Sequence, residues 1–205
     1  VQRGFVAMGL FKDQQDVEMS PTQFGTVRPG DIKYRDINGD GKITDDDKVP
    51  LFAYSGVPQL MYGIGAEFRY KSWTLNVLFK GTGRNKFLYG GSDGYMPFNQ
   101  KDKGNIMTIA YNPENRWISA EYSGNQATEN PNARFPRLYY GKNENNTKPS
   151  TFWMGDARYL RLQELSLAYN LKVPALQRIL GINSMNIQLM CENLAVWDSV
   201  KIFDP

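Results

Sequence analysis

The chain has 205 residues, 41% hydrophobic and 13% aromatic, with a formal net charge of +3 from 24 basic and 21 acidic side chains. The basic residues are spread along the chain rather than grouped, which disfavours nucleic acid as a partner. The absence of histidine, the single Cys191 and the lack of any apolar run of about 18 residues exclude a histidine general base, an internal disulfide and a membrane-spanning helix.

Residues 1–58 are predicted to be mostly loop, with one or two helical turns between Leu10 and Val17. Within them, residues 36–47 (DINGDGKITDDD) have the ligand spacing of an EF-hand-type Ca²⁺ loop. The predicted ligands are the side chains of Asp36, Asn38 and Asp40, the backbone carbonyl of Lys42 and the side chain of Asp47.

This pattern suits Ca²⁺ because a hard cation prefers oxygen ligands, and Gly41 lets the backbone turn sharply without a Cβ clash. Asp47 stands where such loops usually have the longer Glu, so the loop must tighten or bind more weakly. Ile43, at the eighth position, is expected to anchor the loop to a core. The alternative is an Asn-Gly-Asp-Gly surface turn that binds no metal.

Residues 59–82 are predicted to form an antiparallel hairpin. The segments MYGIGAEFRY and WTLNVLFKG each alternate between an apolar and a mostly polar face, and Lys71 and Ser72 form a short turn between them. Residues 83–157 then form a long polar stretch without a sustained period. So long a loop is unusual in a compact domain but is expected on the extracellular side of an outer-membrane barrel.

Residues 158–195 are predicted to form a second hairpin. In its first strand, Leu160 and Leu162 are out of step with the later leucines, which predicts a β-bulge near Gln163 or Glu164. Pro174 is expected to open a short helical turn before the alternating segment MNIQLMCEN. Residues 196–205 are expected to begin another extracellular loop.

Each predicted strand has about the length that a tilted strand needs to cross a membrane. Aromatic residues near the strand ends are arranged as in the girdle of a membrane barrel: Tyr62, Tyr70, Trp73, Phe79, Tyr169 and Trp197. Polar residues are expected on the opposite face: Glu67, Arg69, Asn76, Lys80, Gln188 and Glu192. A soluble sheet with one buried face alternates in the same way and stays the alternative.

Several segments together resemble one family, the SusC/RagA-type TonB-dependent outer-membrane transporters of Bacteroidota. They are PGDIKYRDINGDGKITDDDKV, VPQLMYGIGAEFRYKSWTLNVLFKGTG, ENPNARFPRLYYG, FWMGDARYLRLQELSLAYNL and ENLAVWDSVKIFDP, in the order in which the family carries them. The resemblance is to the C-terminal part of the barrel. The family's last strand, its N-terminal plug and most of its barrel have no counterpart here, and Val1 is not a natural start, so the chain is expected to be a piece of a longer protein.

The resemblance implies an all-β fold, an antiparallel transmembrane β-barrel of about 22 strands around a plug. It implies import of a large nutrient, an oligosaccharide or a peptide, across the outer membrane. The implied partners are a SusD/RagB-like surface lipoprotein that acts as a lid, the TonB complex acting through the plug, and outer-membrane lipid. Ca²⁺ would be a structural cofactor. Aromatic residues of the long loop are candidates for stacking on sugar rings or for simple loop packing: Trp117, Phe135, Tyr139, Tyr140, Phe152 and Trp153.

A second hypothesis is a soluble Ca²⁺-stabilised β interaction module, similar to dockerin-type domains. Such modules usually carry two copies of the loop and are helical, whereas this chain has one copy and otherwise alternates as strands do. An enzyme is not expected. Glu67, Glu164 and Glu192 offer carboxylates for glycoside hydrolysis, but nothing in the sequence fixes their separation.

Overall fold

The computed structural model describes residues 1–52, 57–89, 108–139, 141, 143–172, 174, 177, 179 and 181–200. The chain divides into two compact units. Unit 1 comprises Val1–Ser55 and Phe87–Gly155, and unit 2 comprises Gly56–Lys86 and Asp156–Pro205. The predicted helical turn after Pro174 and the aromatic residues Tyr140 and Phe203 fall wholly or largely outside the described residues. No helix in the described part is long and apolar enough to cross a membrane.

The strands are β1 (Gln2–Gly4), β2 (Ala7–Leu10), β3 (Ile32–Tyr34), β4 (Val49–Phe52), β5 (Leu60–Tyr70), β6 (Trp73–Gly83), β7 (Lys86–Leu88), β8 (Met154–Asp156), β9 (Tyr159–Leu171) and β10 (Met185–Asp198). The helices are α1 (Gln14–Glu18), α2 (Thr108–Tyr111) and α3 (Ala120–Ser123), and further short helical turns lie at Asp45–Asp47, Pro113–Asn115, Gln126–Thr128 and Thr151–Trp153.

Unit 1 is built from short elements around an aromatic core. β1 pairs with β4 and β2 pairs with β3, both antiparallel. The core side chains come from both stretches of the unit: Phe5, Leu10, Ile32, Tyr34, Ile43, Ala110, Trp117, Ala133, Phe135 and Trp153. The rings of Phe5 and Phe24 meet edge to face, with centroids 5.1 Å apart. Ring packing therefore supplies much of the apolar burial in a unit with little regular structure.

Unit 2 contains a four-stranded antiparallel sheet in the order β10-β9-β6-β5. Tyr70 pairs with Trp73, so Lys71 and Ser72 form a two-residue turn as predicted, and Lys71 has a positive φ of 54°. Such a tight turn matches the right-handed twist of the two strands that it joins. The sheet confirms the alternating antiparallel strands inferred from the sequence.

The predicted bulge is present in β9. Leu78 pairs with Glu164 and Phe79 pairs with Leu162, which leaves Gln163 as the extra residue. The extra residue returns Leu160 and Leu162 to the same face as the later leucines of the strand. A second irregularity interrupts β10 between Glu192 and Ala195.

β10 continues to Asp198, beyond the predicted boundary at residue 195. Asn193 has a positive φ of 54° at the irregularity, where the pairing register between β10 and β9 shifts by one residue. The amide oxygen of Asn193 accepts hydrogen bonds from Arg161 and Gln163 at 3.3 and 3.1 Å. The polar Asn193 interrupts the apolar series of β10, which explains why the sequence pattern alone ended the strand too early.

One face of the sheet is apolar on all four strands. It consists of Leu60, Tyr62, Ile64, Ala66, Phe68 and Tyr70 of β5, Trp73, Leu75, Val77 and Phe79 of β6, Leu160, Leu162, Leu165, Leu167, Tyr169 and Leu171 of β9, and Met185, Ile187, Leu189, Cys191, Ala195 and Trp197 of β10. Many of these side chains are exposed, among them Ile64 at 68%, Phe68 at 61% and Leu189 at 68%. A continuous exposed apolar face of this kind marks a surface that another apolar medium or partner covers.

Aromatic side chains border this apolar face in two cross-strand rows. Tyr70, Trp73 and Tyr169 form one row, in which the rings of Trp73 and Tyr169 lie 4.6 Å apart. The other row crosses the four strands in the order Tyr62, Gly81, Leu160 and Trp197, so that an aromatic residue stands at each end. At roughly 3.4 Å per residue, the two rows lie about 27 Å apart along β6. For a strand tilted by ~40° from the membrane normal, their separation along that normal is about 20 Å. That depth is close to the lipid-facing band of an outer-membrane barrel.

The opposite face carries the polar side chains that the alternation placed together. Glu67 pairs with Asn76, and Glu164 of β9 stands between Leu78 and Glu192. Glu67 forms an ion pair with Arg69 at 2.7 Å, and Asn76 donates a hydrogen bond to Ser166 at 3.2 Å. This face therefore suits contact with water or with polar protein groups.

Gly81 provides room for the Tyr62 ring. A Cβ at Gly81 would lie 2.5 Å from Tyr62 Cζ and 2.7 Å from the carbonyl oxygen of Tyr159. The Tyr62 hydroxyl lies 3.5 Å from that same oxygen. The Tyr62 ring thus covers the backbone of β6 where it has no side chain.

Replacing Gly81 by Ala is expected to displace the Tyr62 ring and to lower the free energy of unfolding by about 1–3 kcal/mol, the usual cost of overpacking. Gly63→Ala is the matched control, because its Cβ would meet nothing closer than 3.6 Å. Urea-unfolding curves of the wild type and of both variants measure the difference. Equal effects of the two substitutions would contradict the packing argument.

Candidate functional site

The predicted cation loop follows β3 and is folded by its own side chains. The Asp36 carboxylate accepts backbone hydrogen bonds from Gly39 at 2.7 Å and from Gly41 at 2.8 Å. Asp40 accepts from the Lys42 N–H at 2.8 Å. Gly41 has a φ of 81°, a conformation that glycine adopts without strain. The sharp turn expected at the sixth position is therefore present.

Asp47 closes the loop from a buried position. Its carboxylate accepts hydrogen bonds from the backbone N–H groups of Ile37 and Thr44, both at 2.8 Å. Burial alone would raise the pKa of Asp47, but hydrogen bonds from Thr44, Ile37 and Asn38 outweigh burial and hold that pKa below its ordinary value. Asp47 is thus a buried carboxylate that receives hydrogen bonds from the backbone of its own loop.

The loop is attached to the core of unit 1 at its eighth position. Ile43 is buried in the core cluster, as predicted. Its N–H donates to the Thr22 carbonyl at 2.8 Å, and the Thr22 N–H donates to the Gly41 carbonyl at 3.0 Å. The position of the loop is therefore fixed by the core.

The residue types of the loop fit a hard cation, since Asp36, Asn38, Asp40 and Asp47 supply oxygens and Lys42 supplies a carbonyl. Within the described ranges, however, no three or more His, Cys, Asp and Glu side chains are grouped so that they could hold a metal ion. In this structure the carboxylate oxygens accept backbone N–H groups instead, and the Asn38 amide donates to Asp40 at 3.0 Å. Calcium binding by this loop stays a prediction.

A buried ion pair holds the two stretches of unit 1 together. Asp31 is fully buried; its Oδ1 lies 2.9 Å from Arg137 Nε, and its Oδ2 accepts from Arg137 Nη2 at 3.0 Å. Asp31 also accepts from the side-chain amides of Asn143 and Asn146 at 3.1 and 2.8 Å, and from the Arg28 N–H at 2.8 Å. Asp31 therefore links its own turn to residues more than a hundred positions later.

Two buried asparagines complete this network. Asn145 donates to the Ile32 carbonyl at 2.7 Å, and the Asn146 side chain accepts from the Ile32 N–H at 2.9 Å. The Asn146 carbonyl accepts from the Trp153 indole N–H at 2.7 Å. The roles of Asp31, Asn145 and Asn146 were not predicted from the sequence. The concentration of asparagine in residues 143–146 is the one sequence signal that points to this network.

The aromatic residues suggested for sugar stacking mainly pack the loops. Trp117, Phe135 and Trp153 are buried in the core, and Phe152 packs against it. Tyr139 is 43% exposed, with the Arg137 guanidinium 5.2 Å from its ring centroid. Of the described members of this group, Tyr139 alone presents a largely exposed ring to a ligand.

The chain is similar to known TonB-dependent receptors and importers. No protein-family model matches it. The TonB-dependent receptor P26 of Formosa agariphila is 29% identical over 202 residues, which are 98% of this chain and 18% of that receptor. A structure of the RagAB peptide importer in an open-open state matches with a TM-score of 0.64 at 16% identity, over 98% of this chain and 19% of that one. A structure of the RagAB peptide transporter matches with a TM-score of 0.64 at 18% identity over the same shares.

These matches confirm the resemblance to SusC/RagA-type transporters and the all-β, antiparallel barrel class of the fold. The chain spans about a fifth of the length of the relatives it matches, since it covers 18% of the receptor and 19% of the importer chain. It is thus similar to one segment of a much larger transport protein.

Proposed function

We propose that this chain is a wall and loop segment of an outer-membrane transporter that imports an oligosaccharide or a peptide with energy from the TonB complex. The observation that supports this proposal is the sheet of unit 2, with its exposed apolar face bordered by two aromatic rows. In this proposal the apolar face contacts outer-membrane lipid and the polar face lines the lumen. Energy coupling through a plug lies outside this chain.

The open edges of the sheet support a segment of a larger barrel rather than a separate soluble module. β5 and β10 are the edge strands of the sheet. Unpaired strand edges are not tolerated in lipid, so both edges would pair with further strands of the full protein. A soluble β module would also have to cover the exposed apolar face.

We further propose that a SusD/RagB-like surface lipoprotein docks above this segment as a lid, on the extracellular loops formed by unit 1. The similarity to RagAB supports this partner class. The Asp36–Asp47 loop would bind Ca²⁺ there and keep one extracellular loop rigid. The names of the relatives, a receptor and importers, favour no enzymatic role.

Deleting the gene of the full-length protein is expected to abolish uptake of its oligosaccharide or peptide nutrient by the cell. Uptake of fluorescent oligosaccharide and peptide libraries would be compared in cells with the gene, without the gene, and with the gene but without TonB. Loss in both mutants, together with co-purification of a surface lipoprotein, supports the proposal. Uptake that persists without TonB would contradict it.

Replacing Asp36 and Asp40 together by Ala is expected to loosen the cation loop. In the wild-type full-length protein, a chelator should speed proteolysis within residues 36–47 by about tenfold or more if Ca²⁺ is present at ten times its Kd. The double variant should be cleaved at the fast rate with or without Ca²⁺.

Asp45→Ala with Asp46→Ala is the matched control. These two carboxylates are exposed in the same loop at positions that do not ligate. This control should keep the response to chelator. Wild-type cleavage that ignores chelator would favour a metal-free surface turn.

A further inference from the structure

An open cleft of about 650 Å³ lies in unit 1, in the size range of small-molecule sites. The cleft is bounded by the segment that begins at Arg116, by α3 and by Leu138. Its floor includes Trp117, which is fixed in place because its backbone N–H donates to the Phe135 carbonyl at 3.0 Å and its ring packs on Gly30. The cleft thus has a rigid aromatic part set by the core.

Arg116 is the uncompensated charge of this cleft. Its Nε is buried and has no hydrogen-bond partner among the described residues, and no described carboxylate lies within ion-pair distance of its guanidinium. Burial lowers the pKa of Arg116, while the nearby Tyr111 has a small opposite effect. A partly desolvated guanidinium without a counter-charge is costly unless an anion binds to it.

The other groups of the cleft do not supply that anion. Arg137 also lines the cleft, but Asp31 neutralises it. The lining contains no Asp or Glu. Nearby, Glu129 is occupied by hydrogen bonds from the Ala120 N–H and the Gln126 amide at 2.8 and 2.6 Å. Among the residues that the structure describes, the cleft therefore carries one unpaired positive charge beside apolar surface.

Next to Trp117, the remaining lining combines the apolar side chains of Pro113, Ile118, Tyr122 and Leu138 with the polar side chains of Ser119, Ser123, Asn125 and Thr128. Tyr122 is 85% exposed, so its ring is accessible to a ligand. A ligand that satisfies both parts of the cleft needs an anionic group for Arg116 and an apolar body for this surface. Arg binds carboxylates with particular geometric fit, since its planar fork matches the two carboxylate oxygens.

We propose that this cleft binds the terminal carboxylate of a peptide whose last side chain is apolar, with Arg116 pairing the carboxylate and the Trp117–Tyr122 region contacting the side chain. The proposal deepens and rests on the proposed transport function, because it takes the imported molecule to be a peptide. Neutral oligosaccharides would leave Arg116 unpaired.

The test uses the purified full-length protein and two probes, N-acetyl-phenylalanine and its uncharged amide, in calorimetric or ligand-observed NMR titrations. The acid is expected to bind about tenfold or more tightly than the amide, as a charge-assisted hydrogen bond implies. Arg116→Gln should remove this preference and Arg116→Lys should retain part of it. Arg134→Gln, at an exposed Arg of the same unit, should leave it unchanged.

Equal affinity for acid and amide, or a preference that survives Arg116→Gln, overturns the proposal. A loss of preference in Arg134→Gln equal to that in Arg116→Gln would also overturn it, because net charge alone would then explain binding. The assay needs neither TonB nor uptake. Carboxylate-selective probe binding without TonB-dependent uptake would contradict only the proposed transport function. TonB-dependent uptake without a preference for the carboxylate would contradict only the proposed carboxylate site.

Discussion

Replacing Asp31 by Ala is expected to destabilise unit 1 by about 3–5 kcal/mol, the cost of removing one partner of a buried ion pair. The substitution leaves the Arg137 guanidinium without its counter-charge. It also removes the acceptor of the Asn143 and Asn146 amides and of the Arg28 N–H. Hydrogen exchange of the full-length protein, read at the amides of Ile32 and Tyr34, measures the loss.

Asp16→Ala is the control for this prediction. Asp16 pairs with Lys33 at 2.7 Å, but both side chains are 23% exposed, so the pair is solvated. Its removal is expected to cost about 1 kcal/mol or less. Similar losses of protection in the two variants would show that the buried network does not hold unit 1 together.

Replacing Val77 by Arg is expected to lower the stability of the inserted protein by about 2–4 kcal/mol, as for a charge at the bilayer midplane. Val77 lies midway between the two aromatic rows, paired with Ala66 and Leu165 on the apolar face. The measurement is urea unfolding of the full-length protein in lipid vesicles, followed by the heat-dependent shift of its gel band.

Leu78→Arg is the matched substitution on the other face. Leu78 is the next residue of the strand and pairs with Glu164, which can accept the new positive charge. We expect a change within about 1 kcal/mol. A larger effect at Leu78 than at Val77 would assign the lipid to the opposite face and would reverse the orientation proposed for the sheet.

The strands of unit 2 were predictable because their information is local. Alternation with a period of two marks both faces of a strand, and the Lys71–Ser72 turn fixes the register of β5 against β6. Gln163 was also visible as a change of phase among closely spaced leucines. The end of β10 was not predicted, because an irregularity occurs at Asn193 and only a short segment of strand follows it.

The cation loop was visible for the same reason, since its residues fall within one short frame. The rest of unit 1 was not, because its main contacts join distant segments. Asp31 contacts Asn146 across 115 positions, and the asparagines of residues 143–146 do not identify Asp31 as their partner. No sequence motif marks Arg116. Its proposed role in binding depends on a cleft that two separate stretches, 113–128 and 137–138, form together.

Unit 1 is made of two stretches of chain with the β5–β6 hairpin between them in sequence. The buried side chains of Phe5 and Tyr34 in the first stretch belong to one core cluster with Phe135 and Trp153 of the second. Closing so long a loop is slow relative to forming a hairpin, and the second stretch emerges later during synthesis. Until it does, the apolar side chains of the first stretch lack the rest of their core, and these are the residues that a chaperone would need to shield.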